Sequence, residues 1–203
     1  MLQSNHNFPE NIETMATIAE KIQQLEKLIT RDVGRNIAGL TQAAAGNLLH
    51  AARSIAAHPR PHVGIVTGFF IPDAEPPAPE TDGPLGAVDL MRLLRGSGIP
   101  ALLITDSRCE PALKTALDVA NLSVPLRTAD DRADVFNLEK ELSNGALSHL
   151  IAVERPGPAV SGQIFNMRGR DISDTTAPLH RLFSGQHPYQ TIGIGDGGNE
   201  IGM

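Results

Sequence analysis

The densest group of chemically useful residues is the segment 193–203, which reads Gly-Ile-Gly-Asp-Gly-Gly-Asn-Glu-Ile-Gly-Met. Its glycines allow a sharp turn that presents backbone N–H groups to an anion. Asp196 and Glu200 are four residues apart, so on a helix they share a face and present carboxylate oxygens suited to a divalent cation such as Mg²⁺ or Ca²⁺. A strand-to-helix turn capped by Asp196 is the purely structural alternative. The segment's candidate ligand-binding residues are Gly197, Gly198 and Asn199.

A second group of charged residues follows the apolar run at 149–153. Glu154 and Arg155 come directly after this run, where a charged pair is costly unless it is partnered. Arg155 and Arg168 each offer a planar fork suited to a substrate carboxylate, and Asn166 precedes Arg168 in the same polar stretch. Pairing of Glu154 with Arg168 is the structural alternative. Glu154, Asp196 and Glu200 are the predicted catalytic residues.

A long polar loop, residues 68–86, contains Thr81, Asp82 and Gly83 just before Pro84. Loops of this length in a compact domain are usually lids or binding loops. Two interpretations stay open for its end. Thr81 or Asp82 caps a helix that begins near Pro84, or the helix N-terminus captures a substrate group.

The elements that must position these residues alternate along the chain. Four continuously apolar runs, typical of parallel strands covered on both faces, lie at 63–67, 99–105, 149–153 and 191–195. Helical patterns at 84–94, 110–121 and 131–142 separate them. This alternation predicts an α/β fold with a doubly wound, mostly parallel sheet and helices on both faces.

Ligands of such sheets bind outside the carboxyl ends of the strands. Here those ends carry Thr67 and Gly68, Asp106, Glu154 and Asp196, so Thr67, Gly68 and Asp106 join the candidate binding residues. The convergence of polar residues on one rim predicts an enzyme acting on a small molecule.

Two N-terminal helices are predicted at residues 9–29 and 33–57, where apolar residues recur at three- and four-residue steps. The predicted domains are a helical segment, 1–61, packing on the main domain, and an α/β domain, 62–203. The two helices either cover the sheet or form a homodimer contact.

Composition excludes several classes of protein. The 203-residue chain has a net charge of −6 and only 3% aromatic residues, which argues against a nucleic-acid partner. No apolar run approaches the roughly 20 residues that span a bilayer, and residues 1–6 do not resemble a secretory signal. The single cysteine, Cys109, excludes an intrachain disulfide and is interpreted as a core residue. A cytoplasmic protein with no membrane contact is expected.

Four motifs, taken in order, resemble the D-glutamate cyclase family. They are Glu-Thr-Asp-Gly-Pro-Leu-Gly-Ala at 80–87, Glu-Arg-Pro-Gly-Pro-Ala at 154–159, Asn-Met-Arg-Gly at 166–169 and the Gly-rich segment 193–203. The resemblance implies a hydro-lyase that interconverts D-glutamate, an acidic metabolite, and 5-oxo-D-proline plus water. It also implies a mitochondrial matrix location for animal members, whereas bacterial relatives often consist of this domain alone.

Family members continue beyond the Gly-rich turn, so the resemblance leads us to expect that the α/β domain is truncated after Met203. The hypothesis for the chemistry places Arg155 or Arg168 on a substrate carboxylate and the N–H groups of Gly197 and Gly198 on the reacting oxygen. Glu154 or Asp196 then transfers protons. No cofactor is required, although a cation at Asp196 and Glu200 is an alternative electrophile.

Two other functions remain open. The Gly-rich turn is similar to the magnesium loop of haloacid dehalogenase-like phosphohydrolases, but the chain lacks their Asp-x-Asp nucleophile motif. A non-catalytic module that binds an acidic metabolite would use the same rim without turnover.

Overall fold

A computed structural model describes residues 10–31, 34, 36–144 and 147–202, with side chains from Thr17 onward. The chain divides into two compact units, Met1–Ala57 and His58–Met203. The predicted starts of the two N-terminal helices, Pro9 and Val33, lie outside the described residues, as does Met203.

The first unit is helical. It contains α1 (Glu10–Ile29), α2 (Ala38–Ala43) and α3 (Asn47–Ala56). The stretch predicted as one second helix therefore holds two, because Gly46 turns the chain with a left-handed φ of +88°. The Glu26 carboxylate of α1 accepts hydrogen bonds from the N–H groups of Gly46 and Leu48, at 2.8 and 2.9 Å. This side chain satisfies donors that the start of α3 leaves unpaired.

The second unit is built on a five-stranded sheet. In chain order its strands are β1 (Val63–Thr67), β2 (Phe70–Ile71), β3 (Ala78–Pro79), β4 (Ala101–Thr105), β5 (Leu126–Thr128), β6 (His149–Val153) and β7 (Gln190–Ile194). β2 and β3 form a separate antiparallel pair. The other five are all parallel, in the order β5-β4-β1-β6-β7.

Helices cover both faces of this sheet. They are α4 (Asp82–Gly96), α5 (Glu110–Val119) and α6 (Arg132–Ser143). Val66, Ile104 and Leu150 pack with the buried side of α6 and with Leu179 of a short 3₁₀ turn. Neighbouring strand residues point to the opposite face, where α4 contacts β1, β4 and β6. The α/β, doubly wound prediction is confirmed, except that the edge strand β7, predicted to be covered on both faces, is mostly exposed.

Sequence patterns located most elements of the second unit. The predicted strands at 63–67 and 149–153 agree with β1 and β6, whereas β5 was missed. β5 has only three residues, Leu-Arg-Thr, none of them buried, so it carries no apolar run. None of the described helices is both long and apolar enough to span a membrane.

The strand order creates a crevice at one point of the rim. From β1 the chain builds outward through β4 and β5 on one side, then returns to place β6 and β7 on the other. The order reverses between β1 and β6, and ligands of open α/β sheets bind at such a reversal, outside the carboxyl ends of the strands. Thr67 and Val153 are paired at this end of β1 and β6.

Candidate active site

Glu154 is the first residue beyond β6, at the crevice. Its N–H donates to the carbonyl oxygen of Ile194, the last residue of β7, at 3.0 Å. Its backbone is left-handed, with φ of +46°, which is uncommon for a residue with a side chain and recurs at functional sites. The chain therefore turns sharply here while it stays attached to the neighbouring strand.

The Gly-rich segment returns to the same place. After β7 the chain reverses, and Ile201 N–H donates to the Arg155 carbonyl oxygen at 2.8 Å, while Gly157 N–H donates to the Asn199 carbonyl oxygen at 2.8 Å. These bonds lay residues 199–201 antiparallel to residues 155–157. A Cβ on Gly195 would lie 2.7 Å from the Glu200 Cβ, so only glycine leaves room for that side chain.

These two turns bring all three predicted catalytic residues together. Each of Glu154, Asp196 and Glu200 places one carboxylate oxygen within 4.8 Å of the others. Glu200 is buried, Glu154 is half-buried and Asp196 is exposed. We call these three residues the carboxylate cluster. Its oxygens match the ligands that Mg²⁺ and Ca²⁺ take, and its acids are close enough to exchange protons through one bound molecule.

The carboxylate cluster shifts the proton affinity of Glu154. Burial, followed by the negative charges of Glu200 and Asp196, raises the pKa of Glu154 from 4.5 to about 8. Asp82 and Glu80 contribute smaller repulsions of the same sign. Glu154 therefore exchanges its proton near neutral pH, which suits a general acid or base.

Gly197 and Gly198 hold Glu200. The Gly198 N–H donates to Glu200 Oε2 at 2.8 Å, and the Gly197 N–H lies 3.2 Å from both carboxylate oxygens. These groups therefore face a carboxylate, as the glycine pattern indicated, but it belongs to the protein. Binding of a substrate oxygen there stays a prediction. Among the described residues no helix follows β7 for Asp196 to cap, because Glu200 forms a bridge and Ile201 and Gly202 form a turn.

The first turn of α4 packs against Glu154. A Cβ on Gly83 would lie 2.9 Å from the Glu154 Cβ and 3.0 Å from Thr67 Oγ1. The Thr67 hydroxyl is fully buried and has no hydrogen-bond partner within the described part of the chain. The helix begins at Asp82, and the side chain of Thr81, its N-cap residue, makes no cap hydrogen bond. Asp82 Oδ1 instead accepts the Gly83 N–H at 2.7 Å.

Arg155 and Asp106 form a buried ion pair. Arg155 Nη1 lies 2.5 Å from Asp106 Oδ2, and the two side chains are 1% and 3% exposed. The guanidinium also donates to the carbonyl oxygens of Gly68 and Ala177, at 2.7 and 2.8 Å. Asp106 Oδ1 accepts the N–H of Cys109, whose burial agrees with its interpretation as a core residue. Arg155 thus ties the ends of β1, β4 and β6 together.

Asn166 and Arg168 lie on a tight turn. Asn166 Oδ1 accepts the backbone N–H groups of Arg168 and Arg170, at 2.9 and 3.0 Å. Arg168 is exposed and forms no ion pair with Glu154 among the described contacts. Asn199 Nδ2 donates to the Phe165 carbonyl oxygen at 3.0 Å, which joins this turn to the Gly-rich segment.

Sequence reasoning did not select Glu80 as a site residue. Glu80 belongs to the same motif as Asp82 and acts on the Glu154 pKa through space. Its N–H donates to the Phe69 carbonyl oxygen at 2.7 Å, beside the β2–β3 pair. A charged residue within a recognised motif was the available signal, but its proximity to Glu154 depends on a hairpin that the apolar pattern does not predict.

Fold and site together define an α/β domain with a cluster of three carboxylates at the strand-order reversal of a parallel sheet. The family model described as "D-glutamate cyclase-like, C-terminal" matches residues 25–203, so the chain belongs to this family. It is 32% identical over 200 residues to the human protein "D-glutamate cyclase, mitochondrial". The alignment covers 91% of this chain and 32% of the human protein. The chain therefore spans about a third of that relative's length. Membership in this family supports an enzyme of the lyase class at the family level.

Proposed function

We propose that this domain is a hydro-lyase that interconverts D-glutamate and 5-oxo-D-proline plus water at the carboxylate cluster. The observation that carries the proposal is the meeting of Glu154, Asp196 and Glu200 within 4.8 Å at the strand-order reversal. Family membership and the name of the human relative support D-glutamate as the proposed substrate.

The reaction forms one C–N bond and requires the transfer of two protons. The amine nitrogen of D-glutamate attacks the γ-carboxyl carbon, a C–N bond forms, and one γ-oxygen leaves. The ammonium starts with three protons and the lactam nitrogen keeps one, so two protons depart with that oxygen as water. The protein needs to move these protons but neither gains nor loses any overall. Groups that both accept and donate near neutral pH suit this task.

Glu154 is the group we assign to this exchange. A carboxyl with a pKa of about 8 is present in both protonation states near neutrality. Its carboxylate form takes a proton from the ammonium, and its acid form delivers one to the departing γ-oxygen. Asp196, the exposed member of the carboxylate cluster, is the second candidate for the transfer, and Glu200 maintains the repulsion that raises the Glu154 pKa.

Substrate binding is assigned to the surrounding rim. We propose that Arg168 binds a carboxylate of the substrate, because its side chain is exposed and cationic. Thr67 and Asn199 each have a buried oxygen without a hydrogen-bond partner among the described residues, and both border the carboxylate cluster through Gly83 and Gly197 respectively. Arg155 and Asp106 are positioning residues, because their charged groups are bonded to each other.

A divalent cation is the alternative way to neutralise the carboxylate cluster. Three carboxylates with oxygens within 4.8 Å of one another repel, and either a proton on Glu154 or a bound cation relieves this repulsion. A cation would polarise the γ-carboxyl oxygen. Extensive dialysis against a chelator, followed by metal analysis and an activity assay, separates the two alternatives. Unchanged activity in metal-free protein would show that a proton on Glu154, and not a cation, relieves the repulsion.

The decisive experiment follows D-glutamate and 5-oxo-D-proline by chiral chromatography. We expect wild-type protein to interconvert them, and Glu154→Gln and Asp196→Asn each to lower the rate by about 10²–10⁴, the usual contribution of a general acid or base. Glu141→Gln is the matched control, because Glu141 of α6 is exposed and pairs with Arg127 of β5.

Other outcomes identify the competing functions. Unimpaired rates in folded Glu154→Gln and Asp196→Asn proteins would contradict the assignment of the carboxylate cluster. Saturable binding without interconversion would indicate a metabolite-binding module, and phosphate release from small phosphoesters would indicate a phosphohydrolase.

For location, we propose the cytoplasm, or the mitochondrial matrix in an animal.

A further inference from the structure

A cavity of about 370 Å³ lies on the same rim, beyond the other half of the sheet. Asp106 and Arg108 follow β4, Asp130 lies two residues after β5, and residues 174–177 close the opposite side. Small-molecule sites typically enclose about 300–1,000 Å³, so the volume accommodates a ligand of amino-acid size.

The cavity is separate from the carboxylate cluster. None of Glu154, Asp196 and Glu200 lines it. Asp106 and Ala177 do, and both accept hydrogen bonds from the Arg155 guanidinium. The buried ion pair therefore forms part of the cavity wall, and its arginine directly follows Glu154 along the chain.

The lining is polar and carries both signs of charge. Asp106 is neutralised by Arg155, so the remaining cation of the lining is Arg108 and the remaining anions are Asp130 and Asp174. The Arg108 guanidinium lies over the Phe70 ring, 5.2 Å from its centroid, and Asp130 Oδ1 accepts the Ser107 N–H at 2.7 Å. Among the described residues that line the cavity, Ala177 is the one with an apolar side chain. Such a surface disfavours an apolar ligand and matches one with a positive and a negative group.

Hydroxyl groups add hydrogen-bonding capacity. Ser107, Thr175 and Thr176 line the cavity. Thr176 is 7% exposed, and its Oγ1 has no hydrogen-bond partner among the described residues. A buried hydroxyl without a partner is costly, and such groups in native structures often mark the place of a ligand or water.

We propose that this cavity binds a small zwitterion of amino-acid size, independently of catalysis at the carboxylate cluster. Asp130 and Asp174 balance its ammonium, and Arg108 balances its carboxylate. Two aspartates against one arginine make the ammonium the more strongly selected group. The site therefore distinguishes an amino acid from a dicarboxylate of similar length that lacks the amine.

The test is an amide NMR titration of isotope-labelled protein with D-glutamate and, separately, with glutarate, which has no ammonium group. We expect D-glutamate to give saturable shifts at Ser107, Thr175 and Thr176, and glutarate to give none there. Asp174→Asn should raise the dissociation constant measured from these shifts at least tenfold. Asp118→Asn, which removes an exposed carboxylate on α5, should leave it unchanged.

Three results would overturn the proposal: D-glutamate shifts confined to Gly197 and Gly198, equal shifts with glutarate, or equal weakening by Asp118→Asn. Cyclisation is measured separately on the same samples. Saturable shifts at the cavity in a protein that does not cyclise D-glutamate would support the cavity site while removing the proposed function.

Discussion

Glu154 combines a left-handed backbone, partial burial and two acidic neighbours, and each of these features lowers the stability of the folded domain. The cost is tolerated because Ile194, Gly83 and residues 199–201 hold the surrounding backbone from three sides. Such a combination is typical of residues retained for chemistry.

The Glu154 pKa predicts an opposite response of stability and activity. The folded-state pKa, about 8, lies above the ordinary 4.5. Glu154 therefore supports folding fully below pH 4.5, and this contribution is lost as the pH rises toward 8. We expect Glu154→Gln to remove this loss, so that the variant is more stable than wild type above pH 8 while it cyclises D-glutamate more slowly. Urea unfolding of metal-free protein at pH 5 and 8.5 measures the difference. A wild-type advantage at both pH values would contradict the prediction.

Asp106 illustrates how burial changes the value of an ion pair. Asp106→Ala leaves the Arg155 guanidinium buried without its counterion, which should lower the free energy of unfolding by about 3–5 kcal/mol. Glu141→Ala removes the exposed partner of Arg127 and should cost less than about 1 kcal/mol. Urea unfolding at pH 7 compares the two. Similar small losses in both variants would show that Arg155 does not depend on Asp106.

At the scale of elements, the site depends on three chain segments that pack closely against one another. The first turn of α4 lies against Glu154, the end of β7 accepts its N–H, and the Gly-rich segment places Glu200 beside it. Small residues at these contacts set how closely the segments approach. A change of one methyl group therefore has opposite effects at different positions of the same helix.

Gly83 and Gly96, both in α4, provide that comparison. An alanine Cβ at position 83 would lie 2.9 Å from the Glu154 Cβ, so Gly83→Ala should destabilise the protein by about 1–3 kcal/mol and slow cyclisation. Nothing lies within 4 Å of a Cβ at position 96, where Gly96→Ala should stabilise by up to about 1 kcal/mol through helix propensity. Thermal unfolding and the chromatographic assay check both. A Gly83→Ala protein with wild-type stability and rate would show that α4 shifts freely.

At the scale of the whole molecule, the buried core belongs to the second unit. Every buried hydrophobic residue in the described part of the chain lies between Val63 and Ile201. The described side chains of α1, α2 and α3 are exposed or half-buried, and several large apolar ones are exposed, including Leu25, Leu28 and Ile29. A unit that holds its own core is able to fold alone.

We therefore expect residues 58–203, produced without the first unit, to unfold in one cooperative transition. His58 is retained because its ring packs edge-on against buried His149, with ring centroids 5.7 Å apart. Far-UV circular dichroism and urea unfolding, compared with the full chain, provide the measurement. Loss of the cooperative transition would show that the second unit requires the first.

The sequence by itself determined the α/β class, the main strands and the residues that carry charge at their ends. Continuous apolar runs are local, and they indicate parallel strands whatever their neighbours are. The motifs likewise selected Glu154, Asp196 and Glu200 as the acidic residues of interest. Short elements such as β5 and the β2–β3 pair escaped, because two or three residues carry no periodicity.

Only the tertiary structure decided which charges meet. Arg155 or Arg168 was expected to bind a substrate carboxylate, and in the structure Arg155 pairs with Asp106, 49 residues away in sequence. The N–H groups of Gly197 and Gly198 hold Glu200, and Glu154 acquires a pKa of about 8 from burial and from charges on other segments. Ion pairing and desolvation depend on distances of a few ångströms across the rim. Strand order sets those distances, and local sequence spacing does not encode them.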